Sequence, residues 1–309
     1  RNISLALNNH TYSDLLIYPW GYANLLTPDA DIFISFAELL TSENNYVYGT
    51  CYETLAYTAN GGSDDWFYGE QLTKNKIFAF TPEAGSPSDG FWPQVSRIEE
   101  ICAGHTGMNL YLARLALPYA QITDMSNRFF TEIESSIPFR IKSLGLGTPS
   151  NYTVSIQPIS SNILSVGEGI EYINMNLLEE QYSSINISFK PSISNGEEVK
   201  FVLALNNGFF SYSDTITKLF GVAETIVEDT CDDTSNWTIN GSWNTTTQYY
   251  FSPPTSINDS PNTNYPNSSN THLTYNQVVD LSNAVVAYAE FMTRWDIEKN
   301  WDYAQFMVS

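Results

Sequence analysis

The sequence predicts an α/β unit, truncated at its N-terminus and built on a mixed or doubly wound sheet, followed by two all-β domains of the sandwich or jelly-roll kind. Three observations lead to this prediction. Strand-like and helix-like stretches alternate up to about residue 120, short alternating runs without a helical pattern follow, and aromatic residues among polar turns dominate from about residue 224. We therefore expect domains at 1–120, 121–223 and 224–309, the last of them truncated and jelly-roll-like.

The first region alternates strands with helices. Residues 3–8 and 77–81 are short apolar runs typical of buried strands. A helix is predicted after Pro28, and a longer amphipathic helix after Pro93. The apolar positions of the longer helix, which we expect to be buried, are Ile98, Ile101, Cys102, Met108, Leu112 and Leu115.

The second region has the period-two alternation of strands. Residues 152–156, 185–189 and 199–203 alternate apolar and polar side chains, and clusters of Asn, Gly, Pro and Ser separate them. Several short strands with regular turn signals predict a β-sandwich.

The charge balance restricts the partners that the chain could bind. Its 309 residues carry 34 acidic and 13 basic side chains, a formal net charge of -21. Such a field repels phosphate backbones and anionic lipid surfaces, so nucleic acid is excluded as a partner. The excess of carboxylates suits either calcium sites or a solubilising surface.

Cysteine content and hydropathy add two limits. Three cysteines at long spacing allow at most one disulfide and no cysteine-rich zinc site. No run reaches the roughly 18 apolar residues of a membrane span, so we expect no transmembrane segment. The chain begins with Arg1 and enters an apolar run directly, and we expect the natural N-terminus to lie upstream.

Two residues, His10 and Glu83, each follow the end of a predicted strand, where open α/β sheets place their ligand crevice. Taken singly, each would be an ordinary polar side chain. Three surrounding segments, HTYSDLLIYPWGY at 10–22, YTANGGSDDW at 57–66 and FTPE at 80–83, together resemble the zinc metallocarboxypeptidases of the carboxypeptidase A and B type. The resemblance covers residues 1 to about 118.

The resemblance implies a zinc-dependent exopeptidase that hydrolyses the C-terminal residues of peptide or protein substrates. In this family pattern His10 is the third zinc ligand, Glu83 the general base, and Tyr57 a mobile tyrosine that closes over the substrate. The segments resembling the substrate pocket contain Tyr12, Gly61, Gly62, Ser63 and Asp64.

The role of Asp64 has two interpretations. It occupies the position at which basic-specific members of the family carry an acid, which implies a preference for C-terminal Lys or Arg. Alternatively, it is a solvated acid beside Asp65 at the start of a helix. We interpret Asp65 and Trp66 as structural.

The chain also departs from the family pattern. The His-x-x-Glu pair that supplies the other two zinc ligands is absent from these 309 residues, and the Asn-Arg pair that holds the substrate carboxylate is absent from the matching residues 1 to about 118. We expect both upstream, in a longer enzyme of which this chain is a fragment that is inactive alone; the alternative is an inactive relic. His105 and His272 are expected to be structural.

The C-terminal region contains Asp232-Asp233, Trp237, Gly241-Ser242-Trp243, Asp259-Ser260-Pro261 and Asp280-Leu281-Ser282. Through these residues it resembles the jelly-roll modules found at the ends of secreted bacterial peptidases. That resemblance suggests a secreted or cell-surface bacterial protein whose β domains attach to a cell surface or to glycans. Oxygen-bearing side chains in this region are either calcium ligands or turn residues: Asp233, Asp259, Asn262 and Glu298. The alternatives for the whole are an inactive peptidase-like scaffold that binds surfaces or glycans, and a zinc amidase or deacylase.

Overall fold

The computed structural model describes residues 3–295, 297 and 302–308. Contacts between Cα atoms divide the chain into two compact units, Arg1–Gly221 and Val222–Ser309. Division of the first unit into two domains remains a prediction.

The first part of unit 1 contains four strands and five helices. The strands are β1 (Leu5–Leu7), β2 (Leu15–Tyr18), β3 (Val47–Thr50) and β4 (Phe78–Glu83). The helices are α1 (Ala30–Leu40), α2 (Cys51–Leu55), α3 (Ser63–Gly69), α4 (Val95–Gly104) and α5 (Thr106–Leu115). The sheet has the order β1-β4-β2-β3 and is mixed, because β2 runs antiparallel to β4 while the two outer pairs are parallel.

Aromatic side chains form the centre of this part. Phe33 in α1 is fully buried and contacts the rings of Tyr18, Tyr68, Phe78 and Phe80, at centroid separations of 5.2 to 5.5 Å. These partners come from β2, α3 and β4, so one ring joins a helix to the sheet and to a second helix.

The prediction of one long helix after Pro93 is wrong in two respects. It is two helices that meet at His105, and none of the α4 residues is buried, including Ile98, Ile101 and Cys102. Gly104 disfavours helix continuation, and its carbonyl accepts a hydrogen bond from the Asn44 side chain instead. Within α5 the prediction holds better, because Met108 and Leu115 are buried.

The rest of unit 1 consists of strands. They are β5 (Ala120–Asp124), β6 (Phe129–Phe130), β7 (Glu134–Ser143), β8 (Tyr152–Pro158), β9 (Ile163–Val166), β10 (Ile170–Tyr172), β11 (Glu180–Phe189), β12 (Glu198–Asn206) and β13 (Ser211–Phe220). They form a five-stranded sheet, β10-β8-β12-β13-β6, and a four-stranded sheet, β5-β7-β11-β9. Inward-facing residues of both sheets join one hydrophobic cluster, as in stacked sheets. The coarse prediction, helices near the N-terminus and a β-rich remainder, is confirmed.

The described residues of unit 2 form four short strands: β14 (Trp237–Asn240), β15 (Asn244–Thr246), β16 (Ser256–Asn258) and β17 (His272–Tyr275). Strand β14 pairs with β17, and β15 pairs with β16. A jelly roll has about eight strands in two sheets, so the described residues of unit 2 do not bear out the predicted jelly roll. The prediction relied on turn residues and aromatic side chains, and these features occur in short pairs of strands as well as in a closed double sheet.

The central ring gives a stability prediction. We expect Phe33→Ala to lower the free energy of unfolding of unit 1 by about 3–5 kcal/mol, because it removes a buried ring and leaves a cavity among four others. Urea unfolding followed by circular dichroism measures this change. The matched control is Leu72→Ala, at a side chain 98% exposed. An equal effect of the two substitutions would contradict the assignment of Phe33 to the core.

Candidate active site

Backbone pairing of the two parallel strands β1 and β4 brings His10 beside Glu83. The register pairs Leu5 with Phe78 and continues past the end of β1 to an isolated bridge between His10 and Glu83. The His10 N–H donates to the Pro82 carbonyl, and the His10 carbonyl accepts from the Ala84 N–H, both at 2.9 Å. His10 thus follows β1, and Glu83 is the last residue of β4, so both lie at the same edge of the sheet.

The side chains of this pair are in direct contact. His10 Nδ1 lies 3.1 Å from Glu83 Oε2. The imidazole is 66% exposed and the carboxylate 11% exposed. The site therefore presents an accessible nitrogen base on its outer side and, beside it, a largely shielded carboxylate able to accept or release a proton.

Tyr57 lies in the loop between α2 and α3. A capping box formed by Thr50 and Glu53 starts α2, and Ala56 ends it in the left-handed conformation. The Tyr57 side chain that follows is 57% exposed. The Ala59 N–H donates to the Gly21 carbonyl at 2.8 Å, which ties this loop to the chain after β2.

The two glycines before α3 are needed for different reasons, one for its backbone conformation and the other for the space around it. Gly61 has φ of +77°, a conformation that favours glycine, with open space around it. At Gly62 a Cβ would lie 2.6 Å from Asp64 Oδ1, so only glycine allows the carboxylate to fold back at this point. Ser63 follows and is exposed.

Asp64 is buried, in contrast to the solvated alternative. It is 7% exposed, and its Oδ1 accepts from the Asp65 N–H at 3.0 Å. The Thr81 hydroxyl, on β4, donates to its Oδ2 over 3.4 Å. Burial raises the pKa of the Asp64 carboxyl, and these hydrogen bonds only partly offset that effect.

Asp65 connects α3 to the loop after β2. Its two carboxylate oxygens accept from the Gly21 and Tyr22 N–H groups at 2.8 and 3.0 Å. Trp66 is exposed and lies under the Lys74 ammonium group. These contacts agree with the structural interpretation of both residues.

Tyr12 contacts the loop after Glu83. Its ring meets Phe91 edge to face, with centroids 5.0 Å apart. The same loop is anchored by Asp89, which accepts two hydrogen bonds from the Arg97 guanidinium group. These bonds lower the pKa of Asp89 and hold the carboxylate ionised.

A zinc ion requires more ligands than the described residues bring together. Catalytic zinc sites use three protein ligands. Throughout 3–295, 297 and 302–308, no three His, Cys, Asp or Glu side chains are grouped so that they could hold a metal. His10 is one suitable ligand, so the described part of the chain does not by itself form a zinc site.

The calcium prediction is not supported. In the described part of the chain, Asp233 and Asp259 belong to no group of three or more His, Cys, Asp or Glu side chains that could hold a metal. The Asp233 carboxylate accepts from the Ser235 N–H at 2.8 Å, which is turn chemistry. Asn262 lies in an open depression with Pro261, and Glu298 lies outside the described residues.

The other two histidines differ in burial, since His105 is buried and His272 is exposed. His105 is buried, with Nε2 3.0 Å from the Tyr46 hydroxyl. His272 lies in β17 opposite Asn240. Sequence reasoning missed Tyr46 because nothing in its local pattern distinguishes it from an ordinary strand residue.

Comparison with known proteins agrees with the geometry. Residues 1–106 match the family described as zinc carboxypeptidase. Carboxypeptidase B of Astacus astacus is 38% identical over 87 residues, 26% of this chain and 28% of that protein. Carboxypeptidase A1 of Bos taurus is 36% identical over 82 residues, 25% and 20% of the two chains. Carboxypeptidase B of Canis lupus familiaris is 30% identical over 124 residues, 38% and 29%.

A conjugative transposon lipoprotein of known structure from Bacteroides eggerthii overlays with a TM-score of 0.24 and 12% identity, over 32% of this chain and 95% of that one. A score this low supports no argument.

The N-terminal part of the chain is therefore similar to a section of the zinc carboxypeptidases, over residues 1–106 of the 309. The matched stretch spans between 20% and 29% of the length of the three relatives. In the described residues, no helix is both long and apolar enough to cross a membrane.

Buried Asp64 gives a pH prediction. Its folded pKa is raised above 3.8, its ordinary value, so the unfolded chain releases this proton first as pH rises. The contribution of Asp64 to the free energy of unfolding therefore decreases as pH rises from the unfolded to the folded pKa. We expect Asp64→Asn to become more stable relative to the wild type between about pH 4 and 7. Urea midpoints across this range measure it, with the exposed Asp214→Asn as control; a constant difference between variant and wild type would contradict the prediction.

Proposed function

We propose that this chain is part of a larger, secreted zinc-dependent exopeptidase that removes C-terminal residues from peptides. The observation that carries the proposal is the contact between His10 and Glu83 at the ends of two neighbouring parallel strands. It occurs within a stretch similar to the zinc carboxypeptidases.

In this proposal His10 supplies one protein ligand to zinc. The imidazole is exposed and can turn its Nδ1 from Glu83 toward an ion. The remaining ligands belong to polypeptide outside these 309 residues, because one ligand is too few for the metal. The 309-residue chain alone is then expected to be inactive.

Glu83 acts as the general base and acid. Its carboxylate is largely shielded from bulk water, lies at the edge of the sheet, and has a hydrogen-bonding partner in His10. It accepts a proton from the water that attacks the scissile carbonyl and then delivers that proton to the leaving amine.

Exposed groups around Glu83 bind the substrate in this proposal. Tyr57 is exposed in a loop that can move over a bound peptide and donate a hydrogen bond from its hydroxyl. Gly61 leaves the backbone open to close approach of a substrate side chain, and Gly62 beside it leaves room for the Asp64 carboxylate. Tyr12, held against Phe91, provides an aromatic wall.

Asp64 selects basic C-terminal residues in this proposal. Burial raises the pKa of the Asp64 carboxyl, and among the described residues no Lys or Arg contributes to that shift. A Lys or Arg side chain brought to it would favour its ionised form and gain a charge-assisted hydrogen bond. Attachment to a cell surface or to glycans through the β-rich regions is a further part of the proposal.

The base assignment predicts the effect of Glu83→Gln. In the full-length protein containing this chain, we expect the variant to lose roughly 10²–10⁴-fold in peptide hydrolysis, because it removes the proton acceptor. Zinc content should be unchanged. The measurement is release of C-terminal residues together with metal analysis, with the exposed Glu99→Gln as control.

Other results would favour different functions. Bound zinc with cleavage of other amides alone would indicate an amidase or deacylase. A protein with neither zinc nor hydrolysis would indicate an inactive scaffold that binds surfaces or glycans.

The specificity assignment predicts the effect of Asp64→Asn on substrate choice. We expect the ratio of kcat/KM for peptides ending in Lys or Arg to that for Phe or Leu to fall by about 10- to 100-fold. The physical reason is that asparagine cannot carry the negative charge that would pair with a basic side chain of the substrate. A ratio unchanged from the wild type would show that Asp64 serves only the fold.

A further inference from the structure

A buried polar cluster lies beneath the segment that follows Glu83. We call it the Tyr46 cluster; it consists of the side chains of Tyr46, His105 and Asp14 and the backbone of Gly85. Tyr46 and His105 are each 8% exposed, and Gly85 is buried. None of these side chains belongs to the proposed catalytic or substrate-binding groups.

Hydrogen bonds at Gly85 join the segments after His10 and after Glu83. The Gly85 carbonyl accepts from the Ser13 and Asp14 N–H groups at 2.7 and 2.9 Å. Gly85 has φ of +88°, a backbone conformation that glycine adopts readily and residues with a Cβ rarely adopt. The conformation two residues after Glu83 is therefore tied to that of the loop that follows His10.

Tyr46 holds the other side of the same glycine. The Gly85 N–H donates to the Tyr46 hydroxyl oxygen over 3.4 Å, and His105 Nε2 lies 3.0 Å from that oxygen. The Asp14 carboxylate also hydrogen-bonds to the Tyr46 hydroxyl, and together with burial it raises the Tyr46 pKa to about 12. Burial lowers the His105 pKa, so the imidazole is neutral at neutral pH.

These contacts fully satisfy one phenol group. A tyrosine hydroxyl has one hydrogen to donate and two lone pairs that accept. If its hydrogen goes to Asp14, the lone pairs accept from Gly85 N–H and from a neutral His105 protonated at Nε2. This tautomer is assigned from the network. Every group in the cluster then has a partner, which fixes the position of the hydroxyl.

The Tyr46 backbone and ring are fixed as well. The Asn44 side chain accepts from the Tyr46 N–H at 3.2 Å and donates to the Gly104 carbonyl at 3.1 Å. The Tyr46 and His105 rings meet edge to face at 5.4 Å. The end of α4 and the start of β3 are thus locked together next to the hydroxyl.

We propose that Tyr46, supported by His105, is a positioning residue that holds Gly85 so that the Glu83 carboxylate keeps its place beside His10. The proposal rests on the proposed peptidase function for its catalytic consequence. Its structural part, a local restraint on residues 13–14 and 85, stands independently of activity.

The test is Tyr46→Phe, which keeps the buried ring and removes only the hydroxyl. In the 309-residue chain, we expect the hydrogen-exchange protection of the Gly85, Ser13 and Asp14 amides to fall by roughly tenfold or more. Amides within β2 should keep their protection. In the full-length enzyme, kcat should fall about tenfold with KM within about twofold, because the base is misplaced rather than the substrate pocket.

The matched control is Tyr48→Phe. It removes the hydroxyl of a tyrosine two residues along the chain, in β3, that donates to Glu38 at 3.4 Å on the exposed side, and it should change neither measurement. Equal protection at Gly85 in both tyrosine variants would overturn the proposal. A parallel loss at all core amides would also overturn it, because Tyr46 would then serve only general stability.

Two further variants keep the test decisive if Tyr46→Phe does not fold. His105→Gln retains an N–H donor of similar reach and should protect the Gly85 amide more than His105→Ala does; equal protection in the two would overturn the proposal. The exchange result also separates the two proposals. A local loss of protection in Tyr46→Phe, in a full-length protein without hydrolytic activity, would support the restraint and reject the peptidase function.

Discussion

The parallel pairing of β1 with β4 is the constraint on which the candidate site depends. The same register that pairs Leu7 with Phe80 inside the sheet continues to His10 and Glu83, each pair being separated by 73 residues. A slip of one residue would turn one of the two side chains to the opposite face of the sheet. Backbone hydrogen bonds, rather than attraction between the side chains, therefore determine that an imidazole and a carboxylate meet.

Three carboxylates near this sheet edge differ in burial and in their hydrogen-bonding partners. Glu83 is partly shielded and has an imidazole partner, Asp64 is buried with a raised pKa, and Asp89 is held ionised by the Arg97 guanidinium group. Burial and charge pairing act in opposite directions on an acid. Neighbouring acids in one small region can therefore serve proton transfer, substrate selection and loop anchoring separately.

The loops around the site are restrained from several directions. Asp65 holds the chain after β2, Arg97 holds the loop after Glu83 through Asp89, and the Tyr46 cluster holds Gly85 from beneath. The Asp65 and Tyr46 restraints connect segments that are 44 and 39 residues apart in sequence, whereas Asp89 and Arg97 are 8 residues apart. Tyr57, by contrast, lies in a loop with an exposed side chain, which suits a group proposed to move.

Local patterns and contiguous motifs in the amino-acid sequence are enough to predict the strands near His10 and Glu83, the β-rich character after residue 120 and the resemblance to zinc carboxypeptidases. They do not predict that Asp64 is buried, that the helix after Pro93 divides at His105, or that Tyr46 contacts Gly85. Burial and hydrogen bonding of this kind depend on which distant segments pack together, and one residue's sequence neighbours do not specify that packing.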